Sequence, residues 1–155
     1  MSFQDIWDQI QNDPTTIVEP DVITKWIEDI PEERYHYLEN KTLDTIHKEK
    51  EQLLMKYKKK QSMLHSLLMY RYVNDLQELS LGRNIRWIKH GKDSLTNGGI
   101  LVKISFNTKG VYLLVKTFNH IMQLQMDSCI IFQLMSAEEC MILMANKCTF
   151  NEKTN

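Results

Sequence analysis

Apolar positions recur along this chain at two different periods, and the switch lies at Gly82. Before it they fall at helical spacing. After it they alternate with polar residues in short runs, as in half-buried strands. Phe3, Ile6, Trp7 and Ile10 mark a first short helix, with Ser2 as N-cap and Asp5 in a capping-box position. It ends before Asp13-Pro14. Val22, Ile23, Trp26, Ile27 and Ile30 stripe a second, with Pro20 suited to its first turn. Pro31 ends that helix and opens a further turn through Tyr35 and Leu38.

Neither Pro nor Gly occurs between Thr42 and Leu81. Leu43, Ile46, Leu53, Tyr57, Leu64 and Leu67 keep 3-4 spacing, which predicts one helix over 41–82, ~60 Å long. The pattern is compatible with a coiled coil. Lys50, Lys60, Arg71 and Asn74 would share its seam, where polar residues lower stability but can fix register. From Met63 to Val73 the helix would be apolar nearly all round, so it should be buried against the β part or in an oligomer interface. Leu53, Tyr57, Leu64, Leu67 and Leu68 are therefore candidate contacts with a partner or a second copy.

Gly82 suits the stop of that helix. Ile85–His90, Ile100–Phe106, Val111–Lys116, Ile121–Met126 and Cys129–Leu134 then read as five short strands. Turn chemistry separates them: Gly91-Lys-Asp-Ser, the hairpin-type Asn97-Gly98, and Asn107-Thr-Lys-Gly110. Such spacing predicts a small antiparallel barrel or rolled sheet. Ile100, Val102 and Ile104, with Val111, Leu113 and Val115, are expected to face its core. Trp87 is expected to pack the β domain onto the long helix. Ser136-Ala-Glu-Glu139 is a capping box opening a short C-terminal helix that ends near Asn146. The fold class expected is α+β. It comprises an acidic helical head (1–40), the long helix (41–82), a small β domain with the C-terminal helix (83–148) and a loose tail (149–155).

Charge changes this picture. The net charge of −1 conceals a segregation: residues 1–40 hold ten acidic and two basic side chains, and residues 83–120 hold seven basic and one acidic. Such asymmetry concerns partners and assembly rather than fold. The simplest expectation is that the acidic head and basic body screen one another, within one molecule or an oligomer. No apolar run approaches the ~20 residues of a membrane span, and the N-terminus lacks the pattern of a signal peptide. Three cysteines without C-x-x-C spacing suggest neither a zinc site nor a disulfide framework. The expected location is intracellular: the host cytoplasm or a particle assembled there.

Candidate chemistry is sparse. The five histidines are scattered, with no pair at metal-ligand spacing among carboxylates. There is no nucleophile elbow, phosphate-binding glycine loop or H-E-x-x-H. No catalytic residue, cofactor, metal or small-molecule substrate is indicated, and the protein is expected not to be an enzyme. One constellation stands out. Strand alternation turns Lys103, Tyr112 and Lys116 outward, with Arg86 and Gln123 as candidates for the same face. A basic face carrying an aromatic is how many single-strand nucleic-acid binders are built. An ordinary solvated face, its lysines discouraging edge pairing, is the plainer reading.

The runs Leu81-Gly-Arg-Asn-Ile-Arg-Trp-Ile88, Leu95-Thr-Asn-Gly-Gly-Ile-Leu-Val-Lys-Ile104, Val111-Tyr-Leu-Leu-Val-Lys116 and Ile130-Ile-Phe132 carry a resemblance. A glycine precedes an Ile-Arg-aromatic-Ile strand, then come a Gly-Gly hairpin and a hydrophobic strand ending in Lys. This order resembles a β module of small uncharacterised proteins of large nucleocytoplasmic DNA viruses. It covers the β half alone and implies a viral setting. The reading that follows is a non-enzymatic interaction or assembly protein, a viral structural or accessory component that self-associates or docks on a protein partner. The alternative is nucleic-acid binding through the basic β face.

Overall fold

The computed structural model describes residues 32–154, so the two helices expected within 1–30 lie outside the described residues. The chain divides into two compact units, Ile46–Leu134 and a second drawn from both ends, Met1–Thr45 with Met135–Asn155.

The central unit begins in helix α1 (Leu43–Leu54), continues through α2 (Lys60–Ser66), and then runs through six strands. These are β1 (Tyr70–Val73), β2 (Asn84–Lys89), β3 (Gly99–Asn107), β4 (Gly110–Lys116), β5 (Ile121–Gln125) and β6 (Cys129–Leu134). All pair antiparallel in one sheet of order β1-β6-β2-β3-β4-β5. The small five-stranded barrel or rolled sheet expected from the strand spacing is replaced by a six-stranded sheet that does not close. The sheet is open, with β1 and β5 as its two edges. After β1 the chain turns back onto the inner face of the sheet through Leu76–Ser80, where Leu79 packs on the buried cluster of that face. Ser80 N–H donates to the Gln133 side-chain oxygen, and Gln133 Nε2 donates to the Ser80 carbonyl, both at 2.8 Å.

The single long helix is also absent. What replaces it is α1, a break at 55–59, α2 and then a strand. Two physical causes can be named. A helix of ~60 Å would overrun a sheet of six strands spaced ~4.8 Å apart, leaving much of its apolar stripe uncovered. The second is Tyr57, which the break keeps buried against the outer face of the sheet. Tyr57 N–H bonds back to the Leu54 carbonyl at 3.0 Å, tightening the end of α1. The sixth strand, β1, comes from inside the apolar run. In Tyr70-Arg-Tyr-Val73 the β-prone aromatics and valine alternate in burial, with Arg71 and Val73 inward.

Each sheet face has its own core. On the inner face Val73, Ile85, Trp87, Leu101, Leu113, Val115, Leu124 and Ile131 form one cluster fed by all six strands. Leu79 and Met126, from the connecting turns, pack against it. On the outer face Leu54, Tyr57, Met63, Leu64 and Leu67 pack onto Ile88 and Phe132, with Leu53, Tyr70, Tyr72 and Ile130 alongside. Trp87 is therefore structural but belongs to the inner cluster. Its neighbour Ile88, one pleat on, meets the helices instead.

In the other unit the 3-10 segment Glu32–Leu38, kinked at Tyr35, is tied to helix α3 (Ala137–Thr154). The helix opens with the expected capping box: Ser136 N–H donates to Glu139 Oε1 at 3.0 Å and Glu139 N–H to Ser136 Oγ at 2.9 Å. It runs past Asn146, the expected end. Tyr37 O–H donates to Glu139 Oε2 at 2.8 Å, and Tyr35 O–H donates to the Glu138 carboxylate. Asn146 Nδ2 donates to the carbonyls of Leu38 and Lys41. Burial, and then the bond to Glu138, push the Tyr35 phenol up to about 12.

Candidate interaction surface

The helices cover only the β1-β6-β2 half of the outer face. Within this unit no helix covers the β3-β4-β5 half. Residues directly opposite in an antiparallel pair share a face, so the register lays out three rows. Ile100, Lys116 and Ile121 form the first. Lys103, Leu114 and Gln123 form the second, and Ser105, Tyr112 and Gln125 the third. The outward grouping of Lys103, Tyr112, Lys116 and Gln123 is thus present. Lys103, Lys116 and Gln123 are exposed, and Tyr112 is half-buried.

The inward assignment of Ile100 and Val102 is not. Ile100 is 42% exposed and Val102 40%, while Leu101 is fully buried. A register shift between Leu101 and Lys103 accounts for this. A β-bulge at Val102 inserts one residue and reverses the phase of the alternation before it. Ile100-Leu-Val102 is apolar at three consecutive positions, so the sequence does not show which of them turn inward. Gly99 lies against β4, and a Cβ there would sit 2.5 Å from the Lys116 carbonyl.

Arg86 does not join the exposed basic group. Its Nε donates to the Thr96 carbonyl at 2.8 Å and its Nη1 to the Ser66 carbonyl at 3.3 Å, so it ties the 91–98 loop and the end of α2 to β2. It lines a shallow cleft of about 170 Å³ with Lys59, Ser62, Ser66, Asp93 and Ser94. The candidate interface residues of the helical region are mostly spent on the fold. Tyr57, Leu64 and Leu67 are buried and Leu53 packs beside them, while Leu68 is 52% exposed.

No grouping of three or more His, Cys, Asp or Glu suited to a metal ion occurs among the described residues. His36 and His47 each sit against a glutamate one turn away. Cys129, Cys140 and Cys148 form no disulfide, and burial pushes the Cys129 thiol up despite Lys89 beside it. No helix among the described residues is long and apolar enough to cross a membrane.

Large apolar side chains gather near β5. Ile121 is 60% exposed, and Phe118, at the tip of the β4–β5 turn, is fully exposed. Sequence periodicity marked these positions as strand or turn without distinguishing which strand would be an edge. Comparison with protein-family models, with characterised proteins and with solved structures finds no match to this chain, so its surface must be read from its geometry.

Proposed function

We propose that this is a non-enzymatic assembly protein that self-associates through the β3-β4-β5 half of its sheet. The observation behind this reading is the unequal cover of the outer face. Two helices shield one half, while the other presents Ile100 and Ile121 among Lys103, Lys116 and Gln123. Apolar side chains interleaved with a few polar ones make up the composition of a protein interface. In the viral setting implied by the β-module resemblance, the role would be that of a structural or accessory component. Sedimentation velocity over a range of concentrations tests the reading. The expected result is a mass that rises with concentration and falls when Ile121→Asp is introduced. A monomer at every concentration would sink it.

A second reading has its own support. Lys103 and Lys116 share a face with Tyr112, so a single strand could lay its backbone along the lysines and stack a base on the ring. Two phosphate contacts would give a slope of log affinity against log salt near −1.4, about −0.7 for each. Lys103→Ala should lower that slope by one contact. No binding of single-stranded probes at low salt ends this reading.

A further inference from the structure

We infer that two copies pair edge to edge through β5, antiparallel about a two-fold axis at Gln123, so that one sheet runs through both. This rests on the self-association proposed above and specifies its geometry.

The two sheet edges are unlike. β1 has four residues, and the chain after it folds back over the sheet, held by the Gln133–Ser80 pair. β5 carries none of the devices that usually blunt an edge. Its sequence Ile121-Met-Gln-Leu-Gln125 has no charge, proline or glycine, and no bulge interrupts its register with β4. No strand among the described residues lies on its far side.

Hydrogen-bond parity shows what that edge offers. Thr117 N–H donates to the His120 carbonyl at 2.8 Å across the turn. Hydrogen-bonded and non-bonded pairs alternate along an antiparallel ladder. Lys116–Ile121 is thus a non-bonded pair, Val115–Met122 a bonded one and Leu114–Gln123 non-bonded. The amides and carbonyls of Ile121 and Gln123, and the amide of Gln125, accordingly point away from β4, towards the free edge; the Gln125 carbonyl opens the 3-10 turn Met126–Ser128 and offers its second lone pair.

A second copy satisfies them all. With the axis at Gln123, that residue meets its own counterpart and Ile121 meets Gln125 of the other copy, each donating and accepting once. On the inner face Met122 meets Leu124 and extends the buried cluster. On the outer face the row Lys116–Ile121 continues into Gln125 and Tyr112 of the second copy, so no lysine faces a lysine. An uncharged strand that is complementary to itself under reversal suits a two-fold contact.

Sedimentation velocity on the full chain tests this together with Gln123→Lys and Gln123→Cys. Gln123 is exposed, so the lysine should leave the monomer folded, with an unchanged circular dichroism spectrum. It would set two like charges against each other at the axis and should weaken the dimer at least tenfold. Gln123→Cys should form a disulfide-linked dimer under mild oxidation, because bonded pairs place Cα atoms ~5.5 Å apart. Phe118→Cys, equally accessible but off the axis, should cross-link far more slowly. A dimer that persists in Gln123→Lys, with no preferential cross-link at position 123, overturns the β5 geometry and leaves self-association standing. A protein that stays monomeric overturns both.

Discussion

Lys50 Nζ on α1 lies 2.7 Å from the carbonyl oxygen of Leu67, the residue that ends α2, and donates to it. A second contact runs to the Leu68 carbonyl at 3.4 Å. The ammonium, almost wholly buried, thus adds a charged donor to carbonyls at the end of the short helix, where Leu67 also accepts from Tyr70 N–H at 2.9 Å. Replacing it by Met keeps the stem and removes the donors. Lys50→Met should cost about 1–3 kcal/mol in urea unfolding followed by tryptophan fluorescence. A loss under about 0.5 kcal/mol would show that the Tyr70 amide alone suffices for the Leu67 carbonyl.

Gln133 is the second buried polar residue on which the central unit depends. Its amide completes both backbone groups of Ser80, and Arg71 Nη2 lies 3.4 Å from its oxygen. Arg71 also donates to the Glu78 carbonyl. Gln133→Leu is of similar size but leaves the Ser80 groups without their partner. Destabilisation of about 2–3 kcal/mol is expected. Faster amide exchange at Ser80 than in the parent protein is the local readout.

Two glycines should respond differently to alanine. Gly82 and Gly98 both have positive φ, at 84° and 82°. A Cβ on Gly82 meets open space, whereas one on Gly98 would sit 2.2 Å from the Ile85 carbonyl oxygen. Gly82→Ala should cost about 1–2 kcal/mol for the left-handed backbone alone. Gly98→Ala should cost at least about 3 kcal/mol, because β2 and the loop must part. Equal effects in thermal melts would contradict the contact at Gly98.

The terminal unit should weaken at high pH. Tyr35 titrates in the folded protein at about 12, raised from 10.0 chiefly by burial and then by its bond to Glu138. A raised pKa favours the protonated form in the fold. Its contribution is therefore complete below pH 10 and fades as pH climbs through about 12. Tyr35→Phe cannot ionise, so it should lose less stability than the parent over that window. A parallel decline in both proteins, measured by circular dichroism, would remove Tyr35 as the cause.

Features decided by near neighbours in the chain were legible in the sequence. Ser136 and Glu139 cap each other across three residues, and the Asn107–Gly110 turn is fixed by its own residues, with Lys109 N–H on Asn107 Oδ1 at 2.7 Å. Features decided by distant partners were not. Nothing between Thr42 and Leu81 breaks a helix locally. The break at 55–59 and the strand at Tyr70–Val73 arise because the sheet rewards them, and Tyr70–Val73 fits a buried helix or strand equally well. The same holds at the surface. Alternation placed Lys103, Tyr112 and Lys116 together, but the engagement of Arg86 depends on the carbonyls of Ser66 and Thr96, twenty and ten residues away in the chain.

The extra residue at Val102 works like a reading-frame shift confined to one strand. Without it, Ile100, Leu101, Lys103 and Ile104 would alternate in strict sequence and keep the faces they have now. Deleting Val102 therefore leaves both outer-face lysines and the inner cluster in place. Deleting Leu101 or Lys103 would take a buried leucine from the core or an exposed lysine from the outer face. Val102 is thus the position of β3 that the chain can lose without changing what either face displays.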